Sequence, residues 1–205
     1  MPRRSGPVVT PTSVNAGFMT ELLRAARIIV AFIAIIWLIG AVDMLALGGH
    51  LRTFGIVPRT ERGLLGILFA PFLHEGFDHL LGNTGPLFIF GGLVILRDER
   101  DFWAVTLIGA LASGAGTWLF GRSAIHIGAS GVIFAYFGYL ILAGVFERRI
   151  GSLILSIVVF LVWWRTLFGL LPQGGISFEG HIFGLLGGAL TAWLLSRSRR
   201  GRAAD

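Results

Sequence analysis

Residues Gly128–Phe146 read GASGVIFAYFGYLILAGVF. The stretch carries no charged residue. Coiled as a helix it extends roughly 28 Å, about the thickness of a bilayer's hydrocarbon core. It therefore predicts a membrane span rather than a surface helix of a soluble domain. Its opening is unusual for a span, because Gly128 and Gly131 bracket a serine, Ser130. A serine at a helix start lies among backbone N–H groups that lack intrahelical partners. Small residues in a membrane helix also serve close helix packing. Taken alone, the tetrapeptide fits an approachable hydroxyl or a packing face.

Outward from this stretch, five more apolar runs follow the same logic. They cover approximately Arg27–Leu47, His79–Leu96, Phe102–Phe120, Ile150–Leu171 and His181–Ser196. A span needs about 17 to 25 residues, so the last run is slightly short. The fold class expected is all-α: a polytopic bundle of six transmembrane helices over residues 27–196. Residues 1–26, polar and basic, read as a flexible cytoplasmic tail, and residues 197–205 as a basic cytoplasmic tail. Composition agrees, with 55% hydrophobic and 14% charged residues, against about a quarter charged in soluble domains. The lipid bilayer is the first partner implied. A net charge of +6 raises nucleic acid as a partner, but the charges sit at the ends of apolar runs and argue against it. There is no cysteine, which excludes disulfides and thiolate metal sites.

All basic residues are arginine, and their placement sets the orientation. With the N-terminus inside, Arg3, Arg4, Arg24, Arg27, Arg97, Arg100, Arg148, Arg149, Arg197, Arg199, Arg200 and Arg202 are cytoplasmic. Arg52, Arg59, Arg62, Arg122 and Arg165 fall outside or near the outer interface. Both termini are then cytoplasmic. The connection Gly48–Asp78 is long and contains an apolar piece, Leu64–Phe69, too short to span, which suits a partly inserted outer loop. Pro172–Gly180 reads as a second flexible outer loop.

Polar groups at helix depth are costly and mark candidate sites. The string HEGFDHLLGN, His74–Asn83, superficially resembles a zinc-binding HExxH helix. That motif needs histidines four apart. Here His74 and His79 are five apart, about 140° around a helix, so no metal is expected. His79 and Asn83 are four apart, share a face, and can both donate hydrogen bonds. His181 begins the last run, with Gly184 and Gly188 on the same face. Glycines there let a neighbouring helix approach closely. His126 lies in a loop and receives no catalytic role, and Glu179 is expected in solvent. In the orientation given by the arginines, His79, Asn83, Ser130 and His181 all fall near the outer starts of the second, fourth and sixth runs. Charge counting used none of these residues, so their common depth is independent support for one site.

Together these residues resemble the rhomboid family of intramembrane serine proteases, over about Arg59–Leu195. The resemblance rests on HxxxxHxxxN at His74, His79 and Asn83, on GxSG at Gly128–Gly131, and on His181 with Gly184 and Gly188. It implies Ser130 as nucleophile and His181 as general base. It implies an oxyanion hole of His79, Asn83 and the Ser130 backbone N–H, with His74 bracing the outer loop. It implies a lateral gate formed by the fifth helix and the Pro172–Gly180 loop, with transmembrane proteins as substrates and no cofactor. The compact form suggests a bacterial plasma membrane, with the site opening outward. The sequence departs from the family pattern in lacking a Trp-Arg pair between Gly48 and Asp78. It also carries Phe134 where members often place a tyrosine that stacks on the histidine. A catalytically silent client-binding relative, a transporter and a metalloprotease are the competing readings.

Overall fold

The computed structural model describes residues 11–201. Seven α-helices follow in order: α1 Pro11–Ala46, α2 Glu61–Phe69, α3 Phe77–Arg97, α4 Glu99–Phe120, α5 Ser130–Glu147, α6 Ile150–Trp163 and α7 Phe178–Gly201. Among the described residues there is no strand; one antiparallel bridge joins Ile56 and His126. Six helical stretches are long and apolar enough to cross a membrane, the fifth being α6 with its 3-10 continuation Trp164–Leu170. The chain is an all-α polytopic bundle.

Two of the expected boundaries change. α1 begins at Pro11, so the expected flexible tail is helical from there to Ala26. Proline is well tolerated in a first helical turn, and no second proline or glycine pair follows to stop the helix. Arg24 on this extension pairs with Glu99 of α4, and Ala25 is buried. At the other end α7 continues through Arg197 to Gly201, where Arg199 is held by ion pairs. Residues 1–10 and 202–205, including Arg3, Arg4 and Arg202, lie outside the described residues.

The apolar piece of the Gly48–Asp78 connection is α2, nine residues long. Thr60 caps it, its hydroxyl accepting the Gly63 N–H at 3.1 Å. Gly63 and Gly66 lie so close to the Val57 and Gly55 main chain that a Cβ at either would overlap it. The loop is therefore folded back on itself and packed on α4, where Ile67 meets Gly114.

α5 is the central helix, in contact with α3, α4, α6 and α7. Every residue from Gly131 to Leu140 is buried, which a sequence apolar on all sides requires. α7 packs on it through glycine: a Cβ on Gly184 would overlap the Gly131 carbonyl, and one on Gly188 the Ala135 carbonyl. Backbone thus meets backbone at the ends that carry Ser130 and His181. At the opposite end an ionic cluster ties α3, α4, α5 and α7. Glu147 pairs with Arg97 at 2.8 Å and with Arg199 at 2.7 Å, and Arg199 pairs with Asp101 at 2.6 Å.

Candidate active site

Gly128 makes the turn into α5 with φ +112°, a conformation that L side chains rarely adopt. Its N–H donates to the Ala70 carbonyl at 2.8 Å, fastening the turn to the first outer loop. The first helical bonds run from Val132 and Ile133 to the Ala129 carbonyl. The Ser130 N–H precedes them, at the positive end of the helix dipole.

Beside this turn stands α3. The position of a Cβ on Gly128 would lie 2.7 Å from His79 Nε2 and 3.7 Å from Asn83 Nδ2. Both side chains therefore face the main chain that leads into Ser130. Asn83 is buried, and its amide donates to the His79 carbonyl at 3.1 Å. His74 precedes α3, buried, with its ring edge-on to His79 at 5.0 Å between centroids. No well-formed hydrogen bond reaches either His74 ring nitrogen, and the Phe72 main chain lies beside the ring. Burial, reinforced by the neighbouring His79, pushes its pKa down to about 4. The two histidines meet by their rings, and no group of three His, Asp or Glu side chains among the described residues could hold a metal ion.

His181 comes from the first turn of α7. Its Nε2 lies 2.8 Å from Ser130 Oγ. Its Nδ1 lies 2.7 Å from the Gly169 carbonyl, in the 3-10 segment that ends the fifth span. The ring stacks on Phe134, with centroids 4.2 Å apart and planes 10° from parallel. Phe134 is four residues after Ser130 and so shares its helical face. Gly131 is pressed against Ser113, whose hydroxyl donates to the Gly180 carbonyl at 2.8 Å.

Two spaces adjoin the pair. A cavity of about 30 Å³ behind Ser130 is lined by Ser113, Thr117, His126, Ser177 and Gly180. Apolar side chains such as Ile67, Ala110 and Val132 complete its wall, and with those polar groups it is large enough for a water molecule or two. A larger, open cleft of about 410 Å³ is bordered by Glu75, His79, Arg122, Ile125 and Ser177.

Several residues here escaped the sequence reading. Glu179, expected in solvent, is buried, and its Oε1 accepts the Arg122 N–H at 3.0 Å. The side chain turns away from His181 because residues two apart point to different faces of a helix. His126 is buried between the Ser177 hydroxyl at 2.7 Å and the Arg122 carbonyl at 3.0 Å. The Arg122 guanidinium donates to the Gln173 and Ile176 carbonyls and covers the Phe178 ring. These groups tie the segment before Ser130 to the loop before His181. Nothing in their spacing announced it, since the partners across the gap lie about fifty residues away and most of the contacts use a main-chain atom.

A model of the Rhomboid domain matches residues 61–198, which takes in every residue of this site. The chain belongs to the rhomboid family. An uncharacterized protein of Mycobacterium tuberculosis is 38% identical over 209 residues, 97% of this chain and 86% of that protein. One of Mycobacterium leprae is 35% identical, covering 94% of this chain and 83% of that protein. A Bacillus subtilis protein with the name "Putative rhomboid protease YdcA" is 30% identical, covering 66% of this chain and 69% of its own length. The rhomboid family is one of intramembrane serine proteases. Its membrane-embedded domain implies a lipid bilayer around this chain and transmembrane proteins as substrates in general.

Proposed function

We propose that this rhomboid is an active intramembrane serine endopeptidase that cuts transmembrane segments near the outer interface with a Ser130–His181 dyad. The observation that carries the reading is the 2.8 Å contact between Ser130 Oγ and His181 Nε2. A serine hydroxyl is inert until a base takes its proton. Here the imidazole nitrogen lies at proton-transfer distance, and the ring is held flat by Phe134. Ser130 Oγ attacks the scissile carbonyl while His181 Nε2 takes its proton, and the imidazolium then protonates the leaving amine. Water reverses the sequence on the acyl-enzyme, and the small cavity beside Ser130, with Ser113, Thr117, His126 and Ser177 in its wall, is a suitable place from which to supply it.

The tetrahedral intermediate carries its negative charge beside Gly128. The Ser130 N–H, the His79 ring and the Asn83 amide converge there as donors, each worth about 3 to 4 kcal/mol to the transition state. His74 supports His79 from behind. Phe134 takes the place of a stacking tyrosine by presenting the same ring face, so the missing hydroxyl leaves the stack intact. Gly131, Gly184 and Gly188 act by bringing α7 against α5.

The substrate is a membrane-spanning segment of another protein, admitted past α6 and the 171–177 loop. A stable helix hides its carbonyls in hydrogen bonds, so segments loosened by glycine or alanine near the outer face are cut in preference. The arginine distribution supports cytoplasmic termini and a site that opens outward, and the mycobacterial relatives support a bacterial plasma membrane. The decisive experiment is cleavage of a reconstituted transmembrane substrate by wild type and by Ser130→Ala. Loss of cleavage, with loss of phosphonate labelling in His181→Ala, is the expected result. Undiminished cleavage by Ser130→Ala overturns the dyad, and an intact wild type that binds but never cuts makes the chain a silent client-binding relative.

A further inference from the structure

A histidine acts as a base through one nitrogen only when the other carries the proton. In a Ser-His pair the tautomer must place hydrogen on Nδ1, leaving a lone pair on Nε2 to face the serine. Something must accept the Nδ1 proton's hydrogen bond. Carboxylates often fill that role, and Glu179 is the acid nearest in sequence. Its Oε1 is engaged by the Arg122 N–H instead. His181 Nδ1 meets the main-chain carbonyl of Gly169 at 2.7 Å.

Resting on the dyad reading, we propose that the Gly169 carbonyl is the positioning group that fixes the tautomer and ring angle of His181. Because Gly169 sits at the end of the fifth span, base alignment is also tied to the position of that span. A carbonyl is an acceptor only, with no proton to give. It therefore admits just one neutral tautomer of His181, the one that leaves Nε2 able to accept from Ser130. A water or hydroxyl in its place would tolerate both.

The surroundings explain why the residue is a glycine. A Cβ at Gly169 would lie 2.7 Å from Phe134 Cζ and 3.3 Å from His181 Nδ1. The segment can bring its carbonyl to the imidazole only if nothing projects toward the Phe134–His181 stack. Phe134 and Gly169 thus hold the ring on its face and at its edge, one from α5 and one from Trp164–Leu170.

The second half of the proposal follows from where that segment belongs. Trp164–Leu170 continues α6, and this span is the least enclosed of the six. The 171–175 loop that follows it is exposed. A substrate that enters past this segment displaces the carbonyl and frees the Nδ1 hydrogen. His181 is then a poor base until the segment returns. Access and chemistry alternate, and idle hydrolysis by water in the open state is suppressed.

The test replaces Leu170 by its α-hydroxy acid, turning the Gly169 carbonyl into an ester carbonyl. An ester is a weaker acceptor and adds no atom, so the Phe134–His181 stack is undisturbed. The protein is kept in lipid bilayers with nitrogen-15 labelled histidine. In wild type, His181 is expected as the Nδ1–H tautomer. In the ester variant the tautomers mix, kcat falls about tenfold, and KM stays within about twofold, the size expected for weakening one short hydrogen bond. The same replacement at Leu171, which removes its N–H bond to Phe168, is the control for backbone damage and keeps the wild-type tautomer and rate. Gly169→Ala, which pushes the whole segment away, lowers kcat further.

An Nε2–H tautomer in wild type overturns the proposal, as does an ester variant with unchanged tautomer and rate. Equal loss in the Leu171 control also overturns it. Failure of the dyad itself looks different: Ser130→Ala would then cleave as wild type does.

Discussion

α5 and α7 run side by side through the molecule, and their two ends are built on opposite rules. At the end with Glu147 and Arg199, buried charges are matched many times over. Glu147 accepts from Arg97, Arg199 and Ser152, and Asp101 accepts from Arg199 and Tyr139. The side chains of Glu147 and Asp101 are 8% and 3% exposed, so each charge needs those partners. At the end with Ser130 and His181, the polar groups are neutral and meet single partners, many of them main-chain atoms. Ser130 Oγ meets one ring nitrogen, His181 Nδ1 one carbonyl, and no well-formed hydrogen bond reaches the buried His74 nitrogens. The backbone contact of the two helices is made by glycine. One end ties the helices together by charge, and on the proposed dyad the other keeps donors and a lone pair available for a substrate carbonyl.

That contrast can be broken from either side. The largest effect belongs to the sparse end. Ser130→Ala should lower the cleavage rate by at least about 10⁴-fold while leaving thermal unfolding in detergent nearly unchanged, because it removes one hydroxyl from a loosely bonded group. The mirror experiment is Glu147→Ala. It strands Arg97, leaves Arg199 to Asp101 alone among its short ion pairs, and should cost about 3 to 5 kcal/mol of stability, read as a lower unfolding temperature. The rate per folded molecule should remain close to wild type. A Glu147→Ala protein as stable as wild type would show that glycine packing alone sets the register. Between these lies Asn83→Ala, expected to reduce kcat about 10²-fold with little change in KM, measured on the reconstituted substrate. An equal fall in kcat/KM through KM alone would make Asn83 a substrate-binding group instead.

The same contrast explains what could be read in the sequence. Six spans and their all-α packing were legible because apolar runs and their lengths report directly on the bilayer, whereas the apolar piece Leu64–Phe69, read as part of a loop, is helical as α2. The candidate site was legible through side chains at fixed spacing: His79 and Asn83 four apart, Ser130 between glycines, His181 ahead of Gly184 and Gly188. Helix ends were less so. α1 starts sixteen residues before the expected Arg27, since a helix that leaves the bilayer no longer needs apolar residues to continue. The Gly169 carbonyl, the Arg122 tethers and the Glu179 bond were invisible because one partner in each is main chain, which every residue carries. The ionic cluster was hidden for a related reason. Its arginines counted toward orientation, and nothing local pairs Arg199 with Asp101.

His74 offers the finest probe of the sparse end, because it is outside the spans and titrates near ordinary pH. Its folded pKa is lowered to about 4 by burial and by His79, whereas the unfolded chain keeps about 6.5. Between those values the unfolded state binds more protons than the folded one. Stability is therefore fully present above about pH 6.5 and is lost as pH falls toward 4. From pH 7 to pH 5.5 the loss from this one group is about 1 kcal/mol. His74→Phe, which cannot take a proton and keeps a ring against His79, should flatten the pH dependence of the unfolding temperature over that range. If the slope persists in the variant, the acid sensitivity comes from another group. If the slope goes but cleavage at pH 7 stays, His74 braces the outer loop without entering the chemistry. Loss of both would mean that the His74 ring also sets where His79 points, and with it the strength of the oxyanion hole.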